Sequence, residues 1–109
     1  MDFELSEELI AVRDLAREFA EKEIAPTAAQ DDKQHNFRKD LLLKMGELGF
    51  FGSVIPEKYG GNDLGFLAMV LITEEVARAH SAVRVAINMQ IGPALALLQF
   101  GNEEQKRKW

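Results

Sequence analysis

The chain has 109 residues, a formal net charge of -5 and no cysteine. That length holds one domain with a modest core. An acidic balance without a basic stripe or interleaved aromatics excludes a nucleic-acid partner. The lack of cysteine excludes disulfides, thiolate metal sites and cysteine nucleophiles, and fits a reducing compartment.

The first residues, Met1 to Glu8, are acidic and carry no apolar run, so they form neither a secretory signal nor a transit peptide. A cytoplasmic location is expected. Leu5, Leu9, Val12, Ala16 and Phe19 recur at spacings of four and three, which predicts a first helix with one apolar stripe. Ser6 suits its N-cap, and Glu7 and Glu8 complement the dipole of its first turn. Pro26 should end or kink this helix, because it lacks an amide donor. The polar run Gln30 to Asn36 then reads as a connection.

A second helix is predicted from about Arg38 to Leu48, with Leu41, Leu42, Met45 and Leu48 buried and Gly49 in the left-handed position beyond its end. Phe50 to Pro56 reads as a packed, extended loop. Tyr59 to Asp63, with Gly60 and Gly61, is turn chemistry. A third helix should span about Leu64 to Ala79. Its Phe66–Ile72 stretch is apolar on all sides, which predicts a central position. Ser81 is expected to cap a fourth helix from Ala82 to about Phe100, with a bend at Gly92 and Pro93. This apolar stretch approaches membrane-spanning length, but Arg84, Asn88 and Gln90 interrupt it, so a buried helix and no membrane span are expected. Gly101 should stop it, and Asn102 should cap a last helix. That pattern is still running at Trp109, so a fragment of a longer chain is expected. The fold class is therefore all-α, a bundle of four to five helices. An all-round apolar third helix also predicts self-association or exchange of the C-terminal helix.

Sites for chemistry are few. His35 and His80 have no ligand partners at metal spacing, so no metal site is expected. The acidic pairs Glu7–Glu8, Asp31–Asp32, Glu74–Glu75 and Glu103–Glu104 do not face each other on a helix. Local ion pairs with Arg78 account for Glu74 and Glu75. The Tyr59–Gly65 loop lacks the lysine of a phosphate-binding loop and follows no strand. The strongest constellation is Ser81, Arg84 and Asn88, at spacings of three and four, with Gly92 four further on. Arg84 is the one charged residue between Arg78 and Glu103. Two accounts stay open: a solvent-facing stripe, or a stripe facing a pocket. An enclosed guanidinium would need an anion, and its forked donors match a carboxylate.

Four segments in order carry a family resemblance: Lys44-Met45-Gly46-Glu47-Leu48-Gly49-Phe50, Ile55-Pro56-Glu57-Lys58-Tyr59-Gly60-Gly61, Thr73-Glu74-Glu75-Val76-Ala77-Arg78 and Phe100-Gly101-Asn102-Glu103-Glu104-Gln105-Lys106. Over nearly its whole length the chain resembles the N-terminal helical domain of the acyl-CoA dehydrogenases. One departure is Phe37-Arg38, where the family often has proline after phenylalanine. The resemblance implies a middle β-domain and a C-terminal four-helix domain beyond this one, with FAD mainly between those domains of a homotetramer. It implies acyl-CoA as substrate and electron-transfer flavoprotein as partner. The base that takes the α-proton, and most of the flavin site, would lie in the missing domains. No catalytic residue is therefore expected here, and this chain alone should be inactive.

The family's N-terminal domain supplies a wall of the acyl pocket, in the region matching Ser81 to Pro93. The run Ser81 to Met89 looks most like the glutaryl-CoA dehydrogenase branch, where an arginine and a serine hold the distal carboxylate. Some members of that branch carry the arginine earlier, at the position matching His80, which leaves the acyl substrate open. The resemblance also leaves room for an acyl-CoA oxidase or a flavin monooxygenase of the same fold. A stand-alone helical interaction module is the alternative from another class.

Overall fold

The structure is a computed structural model describing residues 1–109. It is all-helical. Helix α1 (Glu7–Phe19) runs through a π-helical turn (Ala20–Ile24) into α2 (Ala25–Lys33). Then come α3 (Lys39–Glu47), a 3-10 turn (Glu57–Tyr59), α4 (Phe66–Ala79), α5 (Ser81–Phe100) and α6 (Glu103–Lys108). With α1 and α2 forming one rod, there are five helical units, as the sequence pattern predicts.

Of the two expected outcomes, an end or a kink, Pro26 does not end the helical run, but the regular α ladder breaks into a π turn just before it. The chain widens by one residue just before it, and the Ala25 amide bonds the Ala20 carbonyl five residues back. A π turn of this kind accommodates a residue that cannot continue the four-residue ladder. Pro26 then falls in the first turn of α2, where no amide donor is missed. Gln30 to Lys33 are helical rather than part of a connection. Asp31 is buried and anchors the following turn: it accepts from the Thr27 hydroxyl at 2.8 Å and from the Asn36 amide at 3.0 Å.

The core gathers Ala16, Phe19, Ala20 and Ile24 from the first rod, Leu41 and Met45 from α3, Ile72 and Val76 from α4, and Val83, Ile87 and Ile91 from α5. Phe50 and Val54 of the long loop complete it. The Phe19 and Phe50 rings meet edge to face, centroids 5.8 Å apart, a favourable arrangement of aromatic quadrupoles. Between α1 and α4 lies one ion pair in which the Glu75 carboxylate is buried and the Arg17 side chain is 42% exposed. Glu75 accepts from Arg17 Nη2 at 2.9 Å and from Nε at 3.2 Å, and Arg78 stands at 3.3 Å. Arg17 holds the Glu75 carboxyl below the usual glutamate range.

The loop after α3 is a tight knot. Gly49 sits at φ 80°, as its place beyond a helix end predicts. The Asn62 side-chain amide donates to the Gly49 carbonyl at 3.1 Å, and the Asn62 backbone amide to Gly52 at 3.0 Å. A Cβ on Gly61 would lie 1.9 Å from the Ile55 carbonyl oxygen, so this backbone approach requires glycine. The two glycines of Tyr59-Gly60-Gly61 thus serve a turn.

The domain is a slab, 42 × 38 × 21 Å. One dimension is too thin to surround a central helix, so α4 is covered on one side only. Ala68, Leu71, Ile72 and Val76 are buried, but Phe66, Leu67 and Val70 are at least half exposed. The helix takes the predicted central position, packed between α1, the π turn and α5, but it is not covered all round. Nor is α5 a buried helix: Val83, Ile87 and Ile91 make one buried edge, while Val85 and Met89 lie open. By length and composition α5 is apolar enough to cross a membrane, with mean hydropathy 1.3. So much open apolar surface favours association. Light scattering is expected to show dimers or larger species at high micromolar concentration, and a clean monomer there would contradict this.

Candidate functional site

The Ser81, Arg84, Asn88 and Gly92 stripe runs along α5 beside the buried edge of Val83, Ile87 and Ile91, with Ser81, Asn88 and Gly92 exposed and Arg84 partly exposed. Helical spacing sets this: Arg84 lies about 100° around the helix from Val83, at the border of the buried edge, and Asn88, Ser81 and Gly92 lie further round toward the outer face. Val85 and Met89 share that outer face and are exposed. The stripe is therefore bordered by apolar side chains rather than by a charged, solvated surface.

Ser81 does not cap α5, contrary to the expectation. The cap position falls to His80, in extended conformation and without a side-chain bond to the helix. The Ser81 hydroxyl instead accepts from Arg84 Nη2 at 2.9 Å. This bond pins the guanidinium one turn back along the helix and leaves the serine O–H free to donate. Five of the chain's six arginines lie within 4.0 Å of a carboxylate, namely Arg13, Arg17, Arg38, Arg78 and Arg107. Arg84 is the sixth. It is partly exposed and forms no ion pair. Its remaining donors have no side-chain partner in the domain, and a guanidinium with free donors suits the two oxygens of one carboxylate. Asn88 stands exposed one turn further on. Beyond it Gly92 leaves open space, with nothing within 4 Å of where a Cβ would sit.

These residues line neither of the two main cavities. The larger, of about 460 Å³, lies between the glycine loop, the second half of α5 and α6. Lys106 is the one cation on its wall and Glu47 the one anion. A dinucleotide's two phosphates would meet a single positive charge there, so these residues do not fit FAD. The smaller cavity, about 160 Å³, brings His35 and His80 together with Asp31 and Asp32. Sequence spacing does not reveal that meeting, since His80 lies on a segment far along the chain from the other three. Asp31 already accepts from Thr27 and Asn36 and lies 3.9 Å from Arg38 Nη1, and no group of three ligands converges to hold a metal. Elsewhere the structure joins residues that sequence spacing could not connect. Arg17 and Glu75 are 58 positions apart, and Tyr59 and Glu103 are 44 apart.

Residues 6–109 match the family described as acyl-CoA dehydrogenase, N-terminal domain. The chain is 47% identical over its full length to glutaryl-CoA dehydrogenase of Desulfococcus multivorans, and spans 29% of that enzyme's length. It is 41% identical over 97% of its length to the mitochondrial short-chain specific acyl-CoA dehydrogenase of Sus scrofa, of which it spans 26%. Among solved structures, a glutaryl-coenzyme A dehydrogenase in complex with glutaryl-CoA superposes on the whole chain with a TM-score of 0.95, at 47% identity and over 29% of its own length. A chain from work on the electron transferring flavoprotein of Acidaminococcus fermentans and flavin-based electron bifurcation matches with a TM-score of 0.96, at 40% identity and over 29% of its length. Fold, motif order and these likenesses agree: the chain belongs to the acyl-CoA dehydrogenase N-terminal domain family.

Proposed function

We propose that this chain is the N-terminal domain of a longer, cytoplasmic, FAD-dependent acyl-CoA dehydrogenase. In it, the outer face of α5 is one wall of the acyl pocket. Arg84 and Ser81 receive the distal carboxylate of a dicarboxylyl-CoA such as glutaryl-CoA, and Asn88 borders the same channel. The observation that carries this reading is Arg84: the one arginine without a carboxylate, oriented by a serine and set among exposed apolar side chains. An acyl chain needs an apolar wall, and a distal carboxylate needs a forked cation at its end. The likeness to a glutaryl-CoA dehydrogenase solved with its substrate supports the same assignment. FAD, which accepts the hydride in such a reaction, belongs to the rest of the protein, as does the base. We read electron-transfer flavoprotein as the acceptor and a homotetramer as the assembly, and α5 as a packing helix rather than a membrane span.

The test is an acyl-CoA panel assayed with the complete protein. Glutaryl-CoA is expected to be oxidised with higher kcat/KM than butyryl-CoA, electrons passing to electron-transfer flavoprotein or a dye. Preference for the unsubstituted chain would remove the dicarboxylyl assignment. Stoichiometric oxygen consumption would point to an oxidase or monooxygenase instead.

A further inference from the structure

Residues 25–40 leave the core at one buried side chain and return to it at another. Ile24 and Leu41 are each 1% exposed. Between them Asp31 is the one buried residue; Thr27, Ala28 and Arg38 are partly exposed and the rest are exposed. No residue of this excursion belongs to the apolar core or to the half-buried apolar side chains packed on it. Beyond the π turn that leads into it, α2 packs little against any other helix. Its polar bonds are also its own. The Asp31 carboxylate accepts from Thr27 and Asn36, and the Arg38 guanidinium donates to Thr27 Oγ1 at 2.9 Å and to Asp40 at 2.7 Å. Every side-chain hydrogen bond and ion pair of these residues closes within the excursion. Its corner is His35 at φ 55°, in the left-handed region where a residue with a Cβ is strained. The neck is tied from outside it, where Glu23 of the π turn accepts from Lys44 Nζ of α3 at 2.8 Å. The excursion meets the rest of the molecule at the smaller cavity, which Phe37 and Arg38 line together with His80, Ala82 and Val83 at the start of α5.

We propose that residues 25–40 are a flap over the start of α5, opening as a unit while the core stays folded. The free energy of a local opening follows the apolar burial and the outside bonds that it gives up. Here almost nothing of either kind is lost except at the cavity. Asp31 is the bolt: its buried carboxylate joins Thr27 on α2 to Asn36 on the returning chain, with Arg38 at 3.9 Å. One hinge is the π turn, where the α ladder is already interrupted. The other is the first turn of α3, steadied by the Glu23–Lys44 pair. Both ends of the flap are anchored in the core, at Ile24 and Leu41. Opening uncovers His80 and Val83, the neighbours of Ser81, and so changes access to the part of α5 that carries Ser81 and Arg84. The flap stands whether or not Arg84 reads a carboxylate.

The experiment is amide hydrogen exchange read by mass spectrometry on the complete protein, with carbethoxylation of the partly exposed His80 by diethyl pyrocarbonate as a second probe. Amides of α2 are expected to exchange about tenfold faster than those of α1 and α4, at a rate that low urea leaves unchanged, the mark of a local opening. Asp31→Ala removes the charged acceptor of two hydrogen bonds. It should speed flap exchange by about a further tenfold and His80 modification severalfold, with α1 and α4 unchanged. Flap amides that exchange together with α1 and α4, and respond to urea as they do, would overturn the flap. Equal acceleration of all three by Asp31→Ala would overturn the bolt, since Asp31 would then support the whole domain. Faster flap exchange with unchanged His80 modification would overturn the cover over α5. If Asp31→Ala does not fold, the wild-type urea profile and Asp31→Asn, which keeps one acceptor oxygen, decide between the same outcomes.

Discussion

Replacing Arg84 with alanine in the complete enzyme is expected to lower kcat/KM for glutaryl-CoA by about 30- to 5,000-fold, the loss of about 2–5 kcal/mol for one charge pair closed off from water. The rate on butyryl-CoA should move by less than about threefold. The argument rests on desolvation. In this domain the guanidinium is partly exposed, so water can satisfy it. Once a second wall and an acyl chain cover α5, water leaves, and an unpaired guanidinium is costly. A carboxylate at that point removes the cost, while a methyl group does not. Arg84→Lys should fall between, because it keeps the charge and loses the fork. Ser81→Ala should cost less than Arg84→Ala, since it removes the group that orients the guanidinium rather than the guanidinium itself. Equal losses on both substrates would mean that Arg84 supports the fold or the wall and does not read the carboxylate.

The second large effect is on stability. Glu75→Ala is expected to destabilise the chain by about 1–2 kcal/mol, measured by urea denaturation. Glu75 is 5% exposed, and its carboxylate takes both bonds of the Arg17 fork. Removing it opens a hole between α1 and α4 and strips two arginines of their acceptor. Against a total stability of order 5–15 kcal/mol, this is a large fraction. The pH dependence has a defined sign. Folding lowers the Glu75 pKa, chiefly through the Arg17 hydrogen bonds. The pair therefore contributes fully above the unfolded glutamate value, about 4.3. Its contribution fades as pH falls from there through the lowered folded value. Wild type should lose stability across that acid window, and Glu75→Ala should lose less. Parallel pH profiles for the two would show that the pair contributes little.

Helix locations were legible because their signals are local. The four-three stripe of α1, Gly49 beyond α3 and the Asn102 cap each depend on residues within one or two turns. The glycine loop was legible as a turn for the same reason. What the sequence hid was set by distance or by shape. Nothing near Glu75 announces Arg17, and nothing near Tyr59 announces Glu103. The π turn escaped because Pro26 normally breaks a helix, and only packing of Ile24 into the core makes the wider turn worthwhile. The openness of Phe66, Leu67 and Val70 escaped because an all-round apolar helix normally means one covered on every side. Under the proposed function, those residues are apolar because other parts of a longer protein would cover them. The site stripe follows the same logic. Its residues and their shared face were legible from spacing, whereas the serine's true partner, Arg84 rather than the helix end, was not.

The most direct measurement is a crystal structure of the complete protein with glutaryl-CoA bound. The distal carboxylate is expected within hydrogen-bond distance of the Arg84 guanidinium, with the Ser81 hydroxyl beside it and Val85 and Met89 against the acyl chain. A structure in which Arg84 faces bulk water, or pairs with a carboxylate of another domain while the substrate's tail ends elsewhere, would contradict the account.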